Sequence, residues 1–332
     1  MAKFSVGVRI KKSLLEKLHE IDNGEIDSLY GSAAGFRMLP SARESSRLEV
    51  ITFEDLKRFI KDVHDCGYKF SYTINVKCLG SDYTKNDIIS YLTQLDSAEV
   101  DAVIVANLFI LKLIAENRHR LGFNVKISTI FEPNSLLDIK FFRRFNPETI
   151  SLSLMKNRDF EFLKNISPKN DIELLVNEVC LFECPWRTEH YCIQGHGGNE
   201  KLYGKYPYSE CYKMCLENPS LFLKARWIRP EDISFYERLG FSKFKITGRT
   251  ASGDWIVATT KAYLNRSYEG NLLDLFPIVA GDLKREANEA PIYIPNKKLD
   301  GFLERFPKHK CEDVCGVKCH FCDEEFKKIF KR

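Results

Sequence analysis

Short apolar runs alternate with amphipathic segments along most of the chain, and that alternation constrains the fold more than any other feature. Strand-like runs fall at 4–10, 26–31, 70–76, 102–106, 125–130, 149–154, 172–176 and 244–246. Helical periodicity separates them, at 12–21, 53–64 behind the cap candidate Thr52, 83–95, 108–118, 135–145, 160–165 and 231–239. Strands this short and this apolar suit a parallel sheet covered on both faces. About eight strand–helix units at near-regular spacing predict an α/β fold, a (β/α)8 TIM-barrel-like domain. An open doubly wound sheet is the alternative, but no Gly-rich dinucleotide fingerprint follows the first run. The barrel is expected over 1–275 with a cysteine-bearing insertion at 177–215. A small cysteine-rich extension is expected over 276–332, marked off by Pro291, Pro295 and Pro307.

With 332 residues, 44% hydrophobic and 29% charged, the chain has material for a large core and no low-complexity tract. A net charge of +4 permits an anionic or nucleic-acid partner without demanding one, because basic residues are interspersed with acids. The closing Lys327-Lys328 and Lys331-Arg332 read as a solvated helix end. No secretory apolar run follows Met1-Ala2-Lys3 and no membrane span is legible. The expectation is therefore a cytoplasmic chain without a membrane partner, whose cysteines stay reduced.

Five of the 11 cysteines crowd into one stretch after the seventh strand: Cys180, Cys184, Cys192, Cys211 and Cys215. Two C-x3-C pairs flank a loop rich in Gly, His and Tyr, so each pair can grip one side of a soft-metal centre while the loop closes round it. Four thiolates favour zinc or an iron–sulfur cluster. Cys66 and Cys78 stand apart and read as ordinary small hydrophobes. A second group, Cys311, Cys315, Cys319 and Cys322, has the spacing C-x3-C-x3-C-x2-C near the end of the chain. It predicts a second cluster or a structural zinc, with His309 and His320 as reserve ligands. Its last three cysteines also have the spacing associated with radical S-adenosylmethionine enzymes. Their near-terminal place, and Cys311 as a fourth ligand, argue against that reading.

A barrel carries its chemistry at the C-terminal ends of its strands. The sequence puts Tyr30, Asn75, Asn107, Ser128, Asn177, Glu178, Lys245 and Arg249 there, on the rim from which the cysteine stretch departs. Taken singly, each is a loop hydrogen bond or a helix cap. Beside a metal they become a candidate site. Arg187 and His190 follow the second cysteine closely enough to tune a cluster through its sulfurs or to hold an anionic substrate. Lys245 and Arg249 can meet carboxylate or phosphate, unless Arg249 pairs with Glu178 inside the mouth. The candidate catalytic set is Glu178, Arg187, His190, Lys245 and Arg249.

The order of several short motifs is familiar. Gly24 to Gly31, Phe36-Arg37, a helix ending His64-Asp65-Cys66-Gly67, Tyr72-Thr73-Ile74-Asn75 and Ile127-Ser128-Thr129 together resemble the collagenase-like peptidase family U32. The resemblance implies a TIM-type barrel and a 4Fe–4S cluster held by four cysteines after the seventh strand. It also implies, for members of the oxygen-independent hydroxylase kind, action on small aromatic precursors, transfer RNA or ribosomal RNA. By position, Cys211 and Cys215 match the closing pair and Cys180 the first ligand. Cys184 is taken as the fourth, and Cys192 is its alternative.

Three functions follow. The first is an iron–sulfur redox enzyme with one or two clusters, a small-molecule or RNA substrate, and an electron-donor protein or related subunit as partner. The second is a peptidase, as the family name suggests, although no HExxH motif, G-x-S-x-G elbow or isolated nucleophilic cysteine is present. The third is an RNA- or protein-binding subunit with structural metals, in which Lys201, Tyr203, Lys205, Tyr206, Tyr208 and Arg226 meet single-stranded RNA.

Overall fold

The computed structural model describes residues 1–36, 39–43, 47–80, 82–195, 206, 208–277, 292–308, 311 and 314–330, the side chains of 195 and 208 excepted. Eight strands form a closed parallel barrel in sequence order. They are β1 (Lys3–Gly7), β2 (Ile26–Gly31), β3 (Lys69–Ile74), β4 (Ala102–Val105), β5 (Asn124–Ile127), β6 (Thr149–Ser151), β7 (Ile172–Leu175) and β8 (Lys243–Ile246). Closure comes from β8 pairing back onto β1, in register from Lys3 opposite Lys243 to Val6 opposite Ile246. The barrel expected from the alternation is therefore the observed fold.

Helices α1 (Lys12–Ile21), α2 (Phe53–Asp65), α3 (Lys85–Ser97), α4 (Leu108–Glu116), α5 (Leu136–Arg143) and α6 (Phe160–Asn165) follow the first six strands. Local chemistry fixes where several of them begin. Thr52, Thr84 and Ser135 each accept the backbone N–H three residues on, while Asp55, Asp87 and Asp138 reach back to the cap N–H. These reciprocal boxes satisfy donors that a helix start otherwise leaves orphaned.

Most strands stop short of the predicted runs at their C-terminal ends. Val8, Val76, Leu152 and Leu154 are buried but lie outside the ladders. Their hydrophobicity serves packing over the rim, and it extended the apolar runs past the true strand ends. Helices at Arg187–Gly195, Tyr208–Glu217, Gly253–Leu264 and Phe321–Ile329 were not assigned from periodicity. Among the described residues no helix is long and apolar enough to cross a membrane.

Strand side chains alternate between two faces. Outward residues such as Phe4, Phe70, Val103, Val125, Leu174 and Phe244 join the main apolar core. The inward layer is polar, unlike the branched apolar filling common in such barrels. Lys126 Nζ reaches Ser28 Oγ at 3.3 Å and Glu148 at 3.4 Å, and Lys245 Nζ lies 3.4 Å from Glu173. The Glu173 carboxylate also accepts from Ser151. Burial alone would raise the Glu173 pKa, but Lys245 and Lys126 outweigh it and keep the carboxylate ionised.

Beyond β8 the chain is stitched back onto the barrel. Arg229, 2% exposed, donates to both carboxylate oxygens of Asp232 at 3.0 and 2.9 Å and to the Asn296 carbonyl at 2.9 Å. Ile294, Leu299, Phe302 and Phe306 belong to the same apolar core as the barrel wall. That anchorage sets the last cysteines against the β7 side of the molecule.

Candidate active site at the barrel mouth

A cavity of about 190 Å³ opens at the C-terminal rim. Tyr30, Asn75 and Ser128 line it from the ends of β2, β3 and β5. Glu178 and Cys180 enter from the segment after β7, Arg187 and His190 from the helix Arg187–Gly195, and Lys245 and Arg249 from β8 and the turn beyond it. All five candidate catalytic residues thus face one space with a cysteine in its wall. Their sequence positions gave no such guarantee, because the loop bearing Arg187 and His190 has to fold back over the rim.

Two rim residues predicted as candidates serve structure instead. Asn107 caps α4, its Oδ1 accepting from Phe109 and Ile110 N–H. Asn177 ties β7 to β8 by accepting from Thr247 N at 2.6 Å and donating to the Thr247 and Leu275 carbonyls. Arg249 does not pair with Glu178. Its guanidinium donates to Ser32 and Ser41, and Glu178 instead meets the Thr247 side chain and the charge of Arg43. The turn that aims Arg249 requires glycine before it: Gly248 has φ +120°, and a Cβ there would stand 2.2 Å from the Trp255 ring.

The electrostatics follow from burial. Desolvation raises the Glu178 pKa against the pull of Arg43, so this carboxyl can hold a proton nearer neutrality. Desolvation, then Arg43, pushes His190 down to about 4 and leaves its imidazole neutral. Burial also makes Lys245 less basic, while Glu173 beneath it acts in the opposite sense. Arg187 is firmly protonated despite burial, because the Cys180 thiol and Glu132 lie beside it. It bonds Glu132 at 2.9 Å, the Leu181 carbonyl at 3.1 Å and Cys180 Sγ at 3.6 Å. The sequence reading missed Arg43 and Arg47, which also line the cavity. Basic residues in the long segment after β2 were the available signal.

Cys211 and Cys215 are four apart on the helix Tyr208–Glu217, a spacing that puts both thiols on one face. Cys180 and Cys184 lie opposite, in the turn before the helix Arg187–Gly195, close enough to hydrogen-bond each other. The interactions between these groups tie them together: Cys211 is perturbed by Cys180, and Cys215 by Cys211 and Cys180. Cys184 is drawn down to about 7 because the Cys180 thiol donates to it, whereas burial pushes Cys211 to about 11 and Cys215 to about 12. None of the four is in a disulfide. Cys192 is set apart, with Cys78, Lys77 and Glu189 as its charged neighbours.

The model of peptidase family U32 matches residues 13–199. An uncharacterized protease of Methanocaldococcus jannaschii is 32% identical over 289 residues, covering 84% of this chain and 82% of that protein. The chain belongs to peptidase family U32. A second uncharacterized protease of the same organism is 26% identical over 285 residues, 79% of this chain and 67% of its own length. The solved structure of the U32 peptidase Mk0906 covers 74% of this chain and 92% of that one, at 15% identity and a TM-score of 0.51. That likeness bears on the fold alone.

The U32 match contains Cys180 and Cys184 but ends before Cys211, Cys215 and the C-terminal group. Among the described residues, no three His, Cys, Asp or Glu side chains form a cage for a single metal ion. The chemistry of the four rim donors suits a larger soft centre: all are sulfur, none is in a disulfide, and Cys180 influences Cys184, Cys211 and Cys215. Of the residues predicted to meet RNA, Arg226 is buried at 3% exposure and unavailable to a polynucleotide. Tyr206 packs edge-on against Trp186. Lys201, Tyr203 and Lys205, and the side chain of Tyr208, lie outside the described residues, as does His309.

Proposed function

We propose that this U32 protein is an iron–sulfur-dependent redox enzyme of the oxygen-independent hydroxylase kind, with Cys180, Cys184, Cys211 and Cys215 as cluster ligands. The observation that carries the reading is that Cys180 shares a cavity wall with Arg187, Lys245 and Arg249. A 4Fe–4S cluster ligated by all four cysteines, when bound, would supply electron transfer next to that cavity. The chain's own residues do the rest. Arg249, pre-aimed by Ser32 and Ser41, and Lys245 bind and orient an anionic group such as a carboxylate or phosphate. Glu178 holds or accepts a proton at its carboxyl oxygen, and neutral His190 offers one nitrogen as acceptor and one as donor. At about 190 Å³ the cavity is smaller than pockets that take drug-sized ligands, which favours a ring-sized anionic substrate.

The peptidase reading rests on the family's name. It draws no support from the hydroxyls of the mouth, since Ser128 accepts from Ile130 N–H and Thr129 donates to the Leu152 carbonyl. The deciding experiment is iron and acid-labile sulfide per chain after anaerobic purification, for wild type and Cys180→Ala. About four irons lost with the substitution, while the barrel still melts cooperatively, is the expected result. Equal iron in both proteins, or peptide hydrolysis that survives complete removal of iron, would sink the proposal.

A further inference from the structure

Among the described residues, two buried arginines beside the C-terminal cysteines have no carboxylate in an ion pair with them. Arg158 is 4% exposed and Arg226 is 3% exposed. Arg158 spends two N–H groups on the Leu223 and Trp227 carbonyls and stacks on Trp227, its guanidinium carbon 4.1 Å from the ring centre. Arg226 lies over Phe182 at 4.0 Å and near Phe306 at 5.5 Å. Among the described residues, neither forms an ion pair, and the Nε of each is buried without a hydrogen-bond partner. Among the described residues, the buried carboxylates of this region are already held, Asp232 by Arg229 and Glu325 by Arg305 and Lys328. A buried guanidinium without a counter-charge is costly, and two adjacent ones repel as well.

What Arg226 faces is sulfur. It lines a small pocket together with Cys311, Cys315, Cys319 and Cys322. Local structure explains why the four converge. Cys315 N–H donates to the Cys311 carbonyl at 2.9 Å, and Gly316 N–H to the Cys319 carbonyl at 3.0 Å, so the chain doubles back and sets Cys315 beside Cys319. Gly316 makes that reversal at φ +77°. Cys322 then enters from the first turn of the helix Phe321–Ile329, which Asp323 ties to Lys224 at 2.8 Å. The pocket has a volume of about 10 Å³, too little for any organic ligand. Four thiolates around a divalent core carry two surplus negative charges, the number that Arg158 and Arg226 leave unmatched.

Although the four thiols as they stand do not form a cage for a single ion, we propose that Cys311, Cys315, Cys319 and Cys322 bind a thiophilic metal centre, zinc or an iron–sulfur cluster, as four thiolates, and that Arg158 and Arg226 are its counter-charges. The site is separate from the rim cysteines and does not rest on the redox reading of the mouth. Phe182, between Cys180 and Cys184, stacks on Arg226, so the two cysteine groups share one buried cation as a neighbour.

The test uses the full chain, purified anaerobically, with zinc, iron and acid-labile sulfide counted in wild type, in Cys315→Ser/Cys319→Ser and in Cys211→Ser/Cys215→Ser. The expected result is one zinc, or a cluster's iron and sulfide, that vanishes from the tail variant and survives in the rim variant. Zinc without sulfide assigns the ion, and iron with equal sulfide assigns the cluster. Should the tail variant fail to fold, native wild type is alkylated before and after chelation and the labelled peptides are read by mass spectrometry. The four tail thiols are expected to react only after the metal is stripped. Tail thiols that react freely in the untreated native protein overturn the site. Arg226→Met should weaken metal retention against a competing chelator by roughly 10- to 100-fold, and unchanged retention overturns the counter-charge assignment.

Discussion

The two four-cysteine groups occupy opposite kinds of surroundings. At the rim, Cys180 opens onto a cavity with Arg187, His190 and Lys245 in its wall, and its nearest cation, Arg187, is shared with the carboxylate of Glu132. The C-terminal thiols face a pocket of about 10 Å³, backed by aromatic rings, by Lys224, which Asp323 holds, and by Arg226, which forms no ion pair among the described residues. A soft-metal centre beside a polar cavity can exchange with substrate. One set against guanidinium and aromatic groups, with no comparable polar cavity beside it, is suited to hold structure or charge. The same ligand chemistry therefore serves different ends according to what is packed around it.

Arg229 gives the sharpest way to break this contrast, because it is a buried arginine of the ordinary, paired kind. It binds Asp232 through two oxygens and reaches Asn296 and Asp300 of the tail. Removing one partner of a buried pair strands the other, at a cost of roughly 3–5 kcal/mol. Arg229→Met is expected to lose that much in denaturant unfolding and to release the C-terminal metal while rim iron stays. A loss below about 1 kcal/mol would mean that Asp232 relaxes into water and that the tail is not anchored here.

Arg187 probes the other group. It is the positioning residue whose Nη2 lies 3.6 Å from Cys180 Sγ and whose Nη1 holds Glu132. Outer-shell contacts of this kind are worth about 10–100-fold in metal affinity. Arg187→Gln should lower retention of rim iron by that factor in a chelator competition and leave the C-terminal complement intact. Equal loss at both centres would erase the distinction between them.

The barrel was legible because its signal is periodic. Residues 26–31 and 12–21 were assigned to their final boundaries, since an amphipathic stripe of Leu14, Leu15 and Leu18 has few other ways to be buried. The cysteine groups were legible through spacing, and the rim residues through the rule that barrel chemistry sits at strand C-termini. What the sequence hid were contacts made by folding back. Arg158 sits in a short turn after β6 and Arg226 far along the chain, and nothing local brings them to the Cys322 thiol. Lys126 and Glu173 carried a faint signal as charges inside apolar strands, yet their pairing with Ser28, Ser151 and Lys245 depends on barrel closure. Arg249 and Glu178, adjacent on the rim by sequence logic, were drawn apart by Ser41 and Thr247.

A smaller effect comes from His190. Its folded pKa is held near 4, mainly by burial, against an ordinary value of 6.5. As pH falls the unfolded chain binds this proton first, so stability complete above about pH 6.5 is lost on the way down to about pH 4. Partial exposure of the ring discounts the effect to about 1–2 kcal/mol. Comparing His190→Leu with wild type across that window should flatten the pH dependence by this amount. A variant that tracks wild type would place the ring in water, outside the cavity wall.

The smallest effect calibrates the others. Thr84 begins α3, where its side chain accepts from Asp87 N–H at 3.2 Å and Asp87 returns a bond to the cap N–H at 2.9 Å. The box is on the barrel's outer wall and belongs to neither cysteine group. Thr84→Ala should cost about 1 kcal/mol and change neither metal content nor metal retention. If this substitution also stripped iron, metal loss in the other variants would follow from general destabilisation. If stability falls and metal stays, the losses expected at Arg187 and Arg229 can be assigned to the groups each arginine touches.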